Sequence, residues 1–98
     1  MTFKLIAGAA LAALLFEGQA LAESCVIQVT GPEEQWKFLH VYDVATDSIV
    51  LRQAVKSGES KTVTVSGDQV RVDWKFPGYE KYRTGTVMPC KGGNIVRT

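Results

Sequence analysis

His40 is the only histidine of the chain, and a general base or metal ligand is most often a histidine. It lies in Trp36-Lys37-Phe38-Leu39-His40-Val41-Tyr42, a run that reads as a strand. Phe38 and Tyr42 share its face, so His40 reads as a backbone-bonded imidazole on an apolar face rather than as a catalyst. Asp43 stands three residues on and points to the other face, which leaves no local dyad. Ser24, Ser48, Ser57, Ser60 and Ser66 fall mainly at turns, and none has a GxSxG setting. Glu33-Glu34 reads as solvated turn charge. HExxH, CxxC and EF-hand spacings do not occur. The chain is therefore expected not to be an enzyme, with no catalytic residue, metal or cofactor.

Cys25 and Cys90 offer a different chemistry. Their distance in sequence and the lack of CxxC spacing point to a disulfide rather than to a metal pair or redox dithiol. Such a bridge closes a loop of roughly 65 residues, for which chain entropy gives about 4 kcal/mol of stabilisation.

The stretch with binding character is Lys75-Phe76-Pro77-Gly78-Tyr79-Glu80-Lys81-Tyr82-Arg83. Tyrosine and arginine are enriched at interface hot spots. Aromatic rings stack on sugars, and bases attract acidic glycans. If 79–88 is a strand, Tyr79, Lys81 and Arg83 share one face. Two charges do not face a dry core, so these three form the candidate binding surface. Tyr82 then points inward with Thr84, Thr86 and Met88. The competing reading sends Phe76 and one tyrosine to the core and leaves the charges on a solvated face.

The elements that position these residues begin with a leader. Lys4, the apolar run Leu5 to Phe16, the polar Glu17-Gly18-Gln19 and the small Ala20 and Ala22 make a signal peptide over 1–22, helical through its apolar run. Glu17 and Gln19 stop the run short of the roughly 20 apolar residues that span a bilayer. No stable membrane anchor is expected after cleavage before Glu23. Ala22-Glu23-Ser24 is a poor approach to a lipid-modified cysteine, which again favours Cys25 as a disulfide partner. The location implied is periplasmic or secreted, where disulfides persist.

Residues 23–98 make a single domain, and a chain this short buries only about 60% of its unfolded surface. Without Lys4 and Glu17, the eleven basic and ten acidic residues of the chain remain nearly balanced. No global field steers nucleic acid, so any charge-based partner needs a local patch. Period-two runs recur between turn signals at Gly31-Pro32, Ala45 to Ser48, Ser57 to Glu59, Ser66 to Asp68 and Pro77-Gly78. Val70, Val72, Trp74 and Phe76 alternate with Arg71, Asp73 and Lys75, predicting one dry and one wet face. Gly85 inside the following polar run marks a bulge or close approach.

About seven short strands predict an all-β chain folded as a small antiparallel β-sandwich. The layout is similar to immunoglobulin-like and transthyretin-like sandwich modules over the whole of 23–98, a resemblance of architecture without a diagnostic motif. The function expected is a non-catalytic exported binding or interaction module stapled by one disulfide. Its partner would be an envelope or extracellular protein or glycan. The alternative is a small secreted inhibitor of an extracellular enzyme, inserting either Gly31 to Glu34 or Pro77-Gly78 as a rigid loop.

Overall fold

Period-two alternation builds every element among residues 22–98, which the computed structural model describes. In chain order these are β1 (Glu23–Gln28), β2 (Trp36–Asp43), β3 (Ser48–Lys56), β4 (Ser60–Val65), β5 (Gln69–Lys75), β6 (Val87–Pro89) and β7 (Asn94–Arg97). One sheet has the order β4-β1-β7 and the other β3-β2-β5-β6. The leader expected over 1–22 lies outside the described residues, Ala22 excepted, and so does the helix expected from Leu5 to Phe16. Among the described residues no helix is long and apolar enough to cross a membrane.

The strands are antiparallel to their neighbours, with one departure from expectation. β7 runs parallel to β1, pairing Cys25 with Asn94 and Gln28 with Arg97. A parallel partner cannot arrive through a hairpin. Here the chain crosses from β6, in the other sheet, to reach the free edge of β1.

The layer between the sheets is aliphatic. Ile27, Val29, Leu39, Val41, Val55, Val65 and Val70 are almost completely buried. Cys25 and Cys90 join them as a disulfide with Cα atoms 4.9 Å apart. The bridge ties β1 of one sheet to the residue that follows β6 of the other.

The inner face of β2 is Lys37, Leu39, Val41 and Asp43. Its aromatic face, Trp36, Phe38, His40 and Tyr42, is the outer one. Branched aliphatic side chains fill the narrow space between two sheets densely, so they take the inside. The rings gain cross-strand partners instead, because the outer residues of β5 opposite them are Arg71, Asp73 and Lys75.

Three expectations for β5 and the run after it need correction. Trp74 packs on the core margin and is only half-buried, rather than enclosed beside Val70 and Val72. The short β6 leaves the end of β5 uncovered, with an open groove of about 270 Å³ against Trp74, Met88 and Val96. Asp73 is buried rather than exposed, because Arg71 and the Gly85 N–H close over its carboxylate. Residues 79–88 do not form one strand. Arg83 pairs with Trp74 in an isolated bridge, and regular pairing resumes only at Val87 opposite Arg71. Val72 and Asp73 thus face Thr84, Gly85 and Thr86, one residue too many. That is a β-bulge. Gly85 sits within it as a close approach: a Cβ there would meet the Val72 carbonyl oxygen at 2.1 Å.

Turn chemistry follows the sequence closely. Tyr79 N–H donates to the Phe76 carbonyl at 3.2 Å, and Gly78 has φ +90°. This is the type II geometry expected of Pro77-Gly78.

Asp43 clamps two turns together. Its Oδ1 accepts from Ala45 N–H at 3.0 Å, and its Oδ2 accepts from Ser66 N–H at 2.8 Å and Ser66 Oγ at 2.9 Å. Burial alone would raise its pKa, but these donors and the Thr46 hydroxyl outweigh that and hold it below the ordinary carboxylate value. A depressed carboxylate stabilises the fold fully above its unfolded pKa of about 3.9 and loses that contribution as pH falls through the folded value. Asp43→Asn is expected to cost about 2 kcal/mol at pH 7, the worth of hydrogen bonds to a charged group. The gap between wild type and variant should close as pH drops from about 5 to 2. Urea midpoints of both proteins across that range check it, and a gap independent of pH would rule the clamp out as its source.

Candidate functional site

The outer face of β3-β2-β5 gathers aromatic and basic side chains by strand register alone. Directly opposite pairs share a face, so each row across the sheet is fixed. One row is Ala54, Phe38 and Lys75. The next is Arg52, His40 and Asp73, and the third is Ile49, Tyr42 and Arg71. Val50 drops out of register between the last two rows and is exposed as a bulge residue.

Tyr82 comes to this face from the loop after β5. Its ring stacks on His40 with 4.1 Å between centres and 16° between planes. Tyr42 meets His40 edge-on, with 6.4 Å between ring centres. Arg71 lies 4.3 Å over Tyr42, and Lys75 Nζ lies 5.3 Å from Tyr82 and 5.6 Å from Phe38. These are cation–π distances. Phe38, His40, Tyr42 and Tyr82 are all half-buried. Phe38, Arg52, Ala54 and Tyr82 border a shallow groove of about 250 Å³.

Charge on the face is uneven. Arg71 is fixed to Asp73 by two hydrogen bonds, at 3.0 and 3.1 Å, and these bonds raise the pKa of the Arg71 guanidinium. Arg52 is exposed and has no ion-pair partner among the described residues. Among the described residues Lys75 donates to a neutral acceptor, the Tyr79 carbonyl at 2.8 Å.

His40 stands directly opposite Asp73, a juxtaposition hidden in the sequence. No hydrogen bond joins them. Both Asp73 oxygens are engaged by Arg71, and Gly85 N–H adds a third donor. The imidazole is stacked on Tyr82 rather than hydrogen-bonded to the Asp73 carboxylate.

The residues singled out from sequence lie beside this face. Tyr79 is 63% exposed and meets Phe76 edge-on at 5.9 Å. Phe76 meets Trp74 at 4.9 Å, and the Arg83 guanidinium lies 5.2 Å from the Trp74 ring. Tyr79 and Arg83 thus mark the two ends of a chain of touching side chains at one end of the sandwich. Lys81 is exposed nearby in the loop. Tyr82, expected to point inward with Thr84, Thr86 and Met88, instead covers His40 on the outer face. With no strand over 79–82, alternation does not govern where these side chains point.

Lys37 forms the inner counterpart. Its ammonium lies 4.0 Å over Trp74 and donates to a Thr98 oxygen at 3.1 Å. Burial, and then the nearby Arg83, lower its pKa. Sequence reasoning missed Lys37, Arg52 and the His40–Tyr82 stack. One signal was present: Leu39 and Val41 are better inter-sheet residues than the rings beside them.

Comparison with known proteins finds no family model, no curated protein and no solved structure that matches the chain.

Proposed function

We propose that the chain is an exported, non-catalytic binding module that acts through the outer face of β3-β2-β5. One observation carries this reading. The open face of a two-sheet fold is ordinarily polar, yet here Phe38, His40, Tyr42 and Tyr82 cluster half-exposed beside Arg52, which has no ion-pair partner among the described residues. A rigid aromatic and arginine patch of this kind is the composition of an interface hot spot. The leader pattern and the buried Cys25–Cys90 bridge support an oxidising location, periplasmic or extracellular. Two sheets of three and four strands support an immunoglobulin-like or transthyretin-like architecture. The partner is an envelope or extracellular protein or glycan.

A second reading, the secreted inhibitor, draws on one feature. The Gly31 to Glu34 turn is well tethered: Ser57 Oγ donates to the Gly31 carbonyl at 2.7 Å, and Lys56 pairs with Glu34 at 2.9 Å.

Capture from envelope and culture extracts separates these surfaces. Arg52→Ala with Lys75→Ala and Tyr82→Ala should abolish capture while circular dichroism stays unchanged. Tyr79→Ala with Lys81→Ala and Arg83→Ala should retain it. Loss in the second set alone would move the site to the loop after β5. Loss on replacing Glu33 and Glu34 alone would favour the inhibitor.

A further inference from the structure

Resting on the binding reading above, we propose that the ligand is an acidic polysaccharide, one of whose carboxylate-bearing sugar rings sits in the groove beside Tyr82. Charge selects an anion. Among the described residues Arg71 is neutralised by Asp73 and Lys56 by Glu34, whereas Arg52 and Lys75 have no carboxylate partner. Asp73 is the one acid in the three rows of the face, and it is already taken. The chain as a whole is nearly neutral, with a formal charge of +1. The local excess therefore arises from placement and not from composition.

Shape selects a ring. The groove of about 250 Å³ falls below the roughly 300–1,000 Å³ of pockets that enclose whole small molecules. It suits one ring-sized unit of a longer ligand. Phe38, Tyr82 and Arg52 all line it. Tyr42 already carries Arg71, and His40 already carries Tyr82. Few ring faces remain for a neutral sugar, so affinity must come from charge with one stacking contact.

A pyranose carboxylate meets both demands. Its flat C–H face packs on Tyr82, and its carboxylate takes the Arg52 guanidinium, whose planar fork binds carboxylates through two parallel hydrogen bonds. The next unit of the polymer brings a second carboxylate toward Lys75, 5.3 Å from the Tyr82 ring centre. An Asp or Glu side chain of a peptide would satisfy Arg52 and leave the ring contact unmade.

Titration calorimetry of the exported protein tests this with four-unit oligomers of galacturonate and mannuronate, their methyl esters, and poly-glutamate. The acidic oligomers should bind, with affinity falling as salt rises. Esterification, which keeps the ring and removes the charge, should weaken binding at least tenfold. Arg52→Ala should weaken it at least tenfold, with Arg52→Lys intermediate because a point charge replaces the fork. Tyr82→Leu should weaken it severalfold. Equal binding of the esters or of poly-glutamate would overturn the proposal, as would no binding of either acidic oligomer. If the oligomers fail while the Arg52, Lys75 and Tyr82 variant still loses its natural partner, the ligand class falls and the binding face stands.

Discussion

Replacing Cys25 and Cys90 together by alanine is expected to destabilise the domain by about 4 kcal/mol. The bridge spans 65 positions, so its loss restores much freedom to the unfolded chain. Both cysteines are fully buried in the inter-sheet layer, so the variant also loses packing there. A domain of this length has a total stability of only about 5–10 kcal/mol. Urea midpoints should therefore fall by several molar, given a slope near 1 kcal/mol/M for small domains. The same fall should follow reduction of the wild type. An unchanged midpoint in either experiment would show that the sandwich stands without its staple.

Gly85→Ala is expected to be nearly as costly, at about 3 kcal/mol. The new Cβ would lie 2.1 Å from the Val72 carbonyl oxygen and 3.1 Å from its carbon, both backbone atoms that cannot turn aside. Relief requires 83–86 to lift from β5. That breaks the paired hydrogen bonds between Trp74 and Arg83, at 3.0 and 2.7 Å, and the Gly85 donation to Asp73 at 3.1 Å. Overpacking of about 1–3 kcal/mol and hydrogen bonds of about 1 kcal/mol each set the magnitude. Tyr82 rides on the same segment, so the variant should also lose its stack on His40. A melting temperature within a degree of wild type would mean that the bulge absorbs the methyl group.

What was legible in the sequence was local. Pro77-Gly78 dictates its own turn, and period two dictates strands wherever pairing is regular. The disulfide followed from having two cysteines and no competing motif. Which face of β2 turns inward was not local. Leu39 and Val41 hint at the inward face, but Phe38 and Tyr42 are apolar too, and the choice depends as well on Arg71, Asp73 and Lys75 standing opposite, some thirty residues away. The stack of Tyr82 on His40 was hidden for the same reason, because the bulge at Gly85 removes the alternation that would have placed Tyr82. In the sequence Asp43 could be weighed only against His40, and its role appears only when Ser66 arrives from a second turn.

On the binding reading proposed above, the protein meets its partner through the outer face of β3-β2-β5. Hydrogen exchange with and without the captured partner tests it most directly. Residues 38–42, 52–54 and 82, together with the outer residues of β5, should gain protection, while β4 and β7 on the far sheet should not change. Protection confined to Gly31 to Glu34, or to the three strands β4, β1 and β7, would contradict the account.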